Sequence, residues 1–142
     1  MNWFRLFPEV QQDYSGPKIP YYFLIVVAIL STVRSLIHIF APDGGASSIA
    51  GIAIDINIIA IFAQWGVIQL LLALLYWLVI LRYRFLTPIM LAVVVTEQLF
   101  RIGAGNLKPF IVSHQPPGAM GSKILLPLAG VAFIWSLSIK KK

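Results

Sequence analysis

The sequence predicts an all-α integral membrane protein, a four-helix transmembrane bundle. Three observations carry that fold class. Hydrophobic residues make up 59% of the chain and charged residues 11%, against about 25% charged in a soluble domain, which leaves too little polar surface to cover a globule in water. The apolar residues gather into four runs near or above the roughly 20 residues needed to cross the hydrocarbon of a bilayer. Proline–glycine clusters and basic residues then punctuate the ends of those runs.

The 142 residues divide by composition into an N-terminal interfacial arm, 1–20, and a four-span bundle, 21–142. In the arm, Trp3, Phe4, Leu6 and Phe7 surround Arg5, a mixture suited to the membrane surface. The first span covers about 21–41, opened by the aromatic belt Tyr21–Tyr22–Phe23 and stopped by Pro42–Asp43–Gly44–Gly45. The second apolar run, 49–81, is longer than a bilayer needs, so its hydrocarbon part is expected to begin near Ile56. Arg82 and Arg84 end it. Pro88 falls in the first turn of the third span, where its missing N–H costs little. That span is expected to stop at Gly103–Ala104–Gly105–Asn106. Residues 103–123 then form the longest loop, a lid with Phe110, Ile111 and Val112 turned to membrane or core. The fourth span, about 119–139, carries Pro127 and ends in Lys140–Lys142.

The net charge is +6. Its basic residues cluster at span ends without the aromatic interleaving of single-strand binders, so they indicate contact with membrane lipids and no nucleic acid. The N-terminal segment, second loop and C-terminus carry seven basic residues against two, Lys108 and Lys123, in the first and third loops. This bias places both termini in the cytoplasm. Cysteine is absent, which excludes disulfides, thiolate metal sites and cysteine nucleophiles.

Four ionisable residues lie inside the apolar runs: Arg34, Asp55, Glu97 and Arg101. A charge near the bilayer centre costs about 2.5–3.5 kcal/mol even on insertion scales, so such a residue is paired or lines a wet cavity. With His38 they fall toward one end of three spans. Arg34 and His38 share a face at i,i+4, and Glu97 precedes Arg101 at the same spacing. Each arginine is expected within salt-bridge reach of Asp55 or Glu97. On a helical projection Asp55, Phe62, Gly66 and Gln69 form one stripe, with Asn57 and Gln64 opposite. Gly66 permits close helix approach.

Two readings of the cluster stand open. Arg34, His38, Asp55, Glu97 and Arg101 line an outward-opening pocket that binds a lipid-like or quinone-like amphiphile, with a cavity between the first three helices. Alternatively, matched charges pin the helices and do nothing else. No cofactor is expected. A metal at His38, Asp55 and Glu97 lacks any HExxH or ExxH spacing and is opposed by the two arginines. His114 with Ser113 and Asp43 lacks a nucleophile-elbow motif, so it is expected to be a surface histidine. Two further functional readings remain: an accessory subunit meeting a membrane-protein partner or another copy through Asn57 and Gln64, and an enzyme using Glu97 and His38 as an acid–base pair on an isoprenoid or sterol-like substrate.

The first span reads VRSLIHIFAPDGG, with arginine and histidine one turn apart ahead of a glycine turn. In this region and in its span layout the chain resembles the DoxX-like family of small bacterial membrane proteins. The resemblance implies a four-helix bundle in a bacterial inner membrane, in a role near respiratory or quinone-linked oxidation, often as a partner subunit. It carries over no catalytic residue.

Overall fold

A computed structural model describes residues 13–138. Most of the expected N-terminal arm, and the lysine cluster at the C-terminus, lie outside the described residues. Four helices account for the fold: α1 (Lys18–Phe40), α2 (Ile56–Leu81), α3 (Thr87–Leu107) and α4 (Pro117–Ser136). A single 3₁₀ turn, Arg84–Leu86, joins α2 to α3. All four helices are long and apolar enough to span a membrane. The chain is an all-α integral membrane bundle.

Local chemistry sets the helix ends. Ala41 precedes Pro42 and turns extended, at φ −67° and ψ 141°, as the proline ring disfavours a helical residue before it. Asp55 caps α2, its carboxylate accepting the Asn57 N–H at 2.7 Å. Thus α2 begins at Ile56, and residues 49–55 of the apolar run read as the second span, Asp55 included, lie outside the helix. The third span corrects the sequence reading, because α3 runs through Gly103 and Gly105 to Leu107. Each glycine costs only about 1 kcal/mol relative to alanine, too little to end an established helix. The stop comes at Lys108, which precedes Pro109 and leaves the helical region at φ −135°. Likewise α4 opens at Pro117, the first helical position, where proline is favoured. The third loop therefore shrinks to residues 108–116. It is no lid packed on the core: Ile111 is 96% exposed and Phe110 67%.

Helices α1 and α2 form one closely packed pair, and α3 and α4 another. Small residues bring α1 and α2 together. A Cβ on Gly66 would stand 2.8 Å from His38 Cβ and 3.0 Å from the Ser35 carbonyl, so only glycine fits. Tyr21 donates to the Ile80 carbonyl at 3.1 Å, and Trp77 Nε1 donates to Thr32 Oγ1 at 3.0 Å.

The interior has two zones. Leu24, Val27 and Ala28 of α1 meet Tyr76, Val79 and Ile80 of α2, Leu91 and Val94 of α3, and Ala129 and Ala132 of α4. This apolar core fills the half of the bundle where α1 and α3 begin. The polar residues occupy the other half.

Candidate functional site

The polar half is built around Trp65. From α1, the Arg34 guanidinium lies 5.0 Å from the indole centroid, and from α3 the Arg101 guanidinium lies 5.2 Å from it. Both distances are within cation–π range. His38 stacks on the same indole at 5.1 Å between ring centroids, and Phe62 meets both rings edge-on. Burial of a cation beside an aromatic face replaces part of its lost hydration.

Hydrogen bonds then assign each group. His38 Nδ1 lies 2.7 Å from the Gly44 carbonyl, so that nitrogen carries the proton and donates it. Its Nε2 accepts from Arg34 Nε at 3.3 Å. Both nitrogens of the buried imidazole are engaged. Arg101 Nε donates to Glu97 Oε1 at 2.9 Å, one turn along α3. The other Glu97 oxygen accepts from the wholly buried Tyr76 hydroxyl at 3.3 Å. The Gln69 amide, oriented with its oxygen toward α3, accepts from Arg101 Nη1 at 3.1 Å. The pair is therefore held from two helices, with Arg101 and Glu97 19% and 21% exposed.

The first loop supports the site from outside. Gly44 and Gly45 adopt φ of 61° and 74°, a left-handed turn that suits glycine. The Asp43 carboxylate closes this turn by accepting the backbone N–H groups of Gly45, Ser47 and Ser48 at 2.8, 3.2 and 2.7 Å. The Ser48 amide leads in holding its pKa down to about 2. The turn aims the Gly44 carbonyl at His38. The third loop clasps the first: Ser113 N donates to the Gly51 carbonyl at 2.8 Å, and His114 Nε2 lies 3.2 Å from the Ile49 carbonyl.

Four of the five expected site residues thus converge: Arg34, His38, Glu97 and Arg101. Asp55 does not join them. It is exposed and its carboxylate is committed to the α2 cap. The stripe that placed it beside Gln69 fails because Asp55 is extended, at φ −138°, and helical periodicity does not reach it. The expected pairing holds for Arg101 and fails for Arg34. Among the described residues no carboxylate stands within salt-bridge distance of Arg34. Its guanidinium instead reaches the start of α4, where a Cβ on Gly118 would lie 3.0 Å from Nη2.

Between α1, α2 and α3 stand Trp65, against Arg34 and Arg101, with Gln69 and Tyr76 against Arg101 and Glu97. An open groove of about 380 Å³ runs along α3, lined by Ile89, Ala92, Val93, Thr96, Glu97 and Phe100. Trp65, Gln69 and Tyr76 were missed as site residues; Gln69 shares the buried α2 stripe with Phe62 and Gly66, and the half-buried Trp65 lies at its edge. Among the described residues no three histidine, aspartate or glutamate side chains stand together to hold a metal ion. Comparison with protein-family models, curated proteins and solved structures found no match to this chain.

Proposed function

We propose that this membrane protein binds a lipid-like or quinone-like amphiphile, its headgroup taken by Arg34, His38, Glu97 and Arg101 beside Trp65. The observation that carries this reading is charge imbalance. Among the described residues Glu97 pairs with Arg101, and Arg34 rests on an indole, an imidazole and the opening of α4 with no carboxylate in reach. A cation kept out of bulk water without a counter-ion favours an oxygen-rich or anionic headgroup. The α3 groove supports the second half of the reading, since its apolar walls meet the polar zone at Glu97. Pure helix pinning would require matched charges, and Asp55 is spent elsewhere. The bias of basic residues and the likeness of the first span to the DoxX-like family support an outward-facing site in a bacterial inner membrane with both termini cytoplasmic.

The test is extraction in mild detergent followed by mass analysis of retained small molecules. The wild type is expected to keep a stoichiometric amphiphile and Arg34→Gln to lose it, while Glu9→Gln keeps it. A wild type that retains nothing, or equal retention in Arg34→Gln, would refute the proposal.

A further inference from the structure

Helix α2 carries an interaction seam that its own bundle leaves uncovered. Asn57, Ile61, Gln64, Ile68, Leu71 and Leu75 repeat at alternating four- and three-residue steps, and every one is exposed. This is the a/d spacing of a left-handed helix pair. The apolar members alone carry no inference, since lipid tails accommodate isoleucine and leucine. Gln64 is different. It is the ninth of the 26 residues of α2. If the helix is centred in the bilayer, Gln64 lies roughly 7 Å from the midplane, within the ~15 Å half-thickness of the hydrocarbon. Asn57 lies roughly 17 Å from the midplane, at headgroup depth, where water satisfies it. Among the described residues the Gln64 side-chain amide has no hydrogen-bond partner. Lipid tails offer none.

We infer that this seam is a parallel interface between two copies of the chain, with Gln64 beside a twofold axis along the membrane normal. The chemistry selects a copy. A carboxamide holds both donors and an acceptor, so its twofold mate presents the same group reversed and two hydrogen bonds close. One polar residue in an apolar seam also fixes register, because any slip leaves both amides in hydrocarbon. The inference does not rest on amphiphile binding, since the seam lies on the opposite side of α2 from Gln69.

The cysteine-free sequence makes the test direct. Single variants Ile61→Cys, Ile68→Cys and Leu71→Cys are oxidised in intact membranes beside Val131→Cys, an exposed position on α4. Chain-to-chain cross-links are expected at the three seam positions and not at 131. Adding Gln64→Leu to Ile68→Cys is expected to lower the dimer roughly tenfold, with thermal unfolding of the monomer in detergent unchanged. Cross-linking no greater at the seam than at 131, a cross-link to a different protein, or a yield indifferent to Gln64→Leu overturns the inference. A Gln64→Leu chain that unfolds earlier also overturns it, by assigning Gln64 to the bundle's own fold.

Discussion

The two faces of α2 are written in the same pattern and meet different surroundings. On the inner face, Phe62, Gly66, Gln69, Ala73, Tyr76 and Ile80 are all buried. On the outer face, Ile61, Gln64, Ile68, Leu71 and Leu75 repeat at the same steps and are all exposed. Each face carries one glutamine. Gln69 accepts from Arg101 within the chain. Gln64 has no such neighbour among the described residues. The difference teaches that periodicity marks a face able to pack and leaves open what it packs against. Small side chains decide that: Gly66 lets α1 approach the inner face, and the outer face has only bulky aliphatics beside its amide.

Stability measurements on the detergent-solubilised bundle should separate the faces. The largest effect is expected at Gly66→Ala, where the added Cβ meets His38 and the Ser35 carbonyl. Overpacking of this kind costs about 1–3 kcal/mol, whereas Ile68→Ala on the outer face should stay within about 0.5 kcal/mol. Equal effects at both positions would mean that α1 does not pack where Gly66 lies. Next, Gln69→Leu removes an acceptor from a charged donor and should cost about 1–3 kcal/mol, while Gln64→Leu leaves the monomer within about 0.5 kcal/mol. Denaturant titration of both variants side by side reads the contrast.

The smallest effect is a dependence on pH in the first loop, which supports the polar site. Asp43 holds the turn that presents the Gly44 carbonyl to His38, and its pKa falls from an ordinary 3.8 to about 2. A lowered carboxyl pKa gives stability that is fully present above the ordinary value and lost as pH falls through the lowered one. Amide protection at Gly45 and Ser48, exchange taken relative to the intrinsic rate at each pH, should therefore be constant above pH 4 and fall between pH 4 and 2. Asp43→Asn should abolish that step. A loss of protection that persists in Asp43→Asn would assign it to another group.

Much of this architecture was legible beforehand. Apolar run lengths gave the four spans, and i,i+4 spacing gave the Glu97–Arg101 pair. Two kinds of feature were not legible. Helix ends at Gly103–Asn106 were misread because glycine weakens a helix without stopping it, while Pro109 does stop it. The partners of Arg34 were misread because charge counting looks for carboxylates. A guanidinium also packs on an aromatic face and donates to a neutral imidazole, and these neighbours come from tertiary packing that spacing along one helix does not encode.

Native mass spectrometry of the chain released directly from its own membrane tests both faces at once. The expected species is two chains with an amphiphile on each. Arg34→Gln should shed the amphiphile and keep the pair, and Gln64→Leu should shed the pair and keep the amphiphile. A bare single chain of 15.8 kDa from the wild type would contradict both assignments.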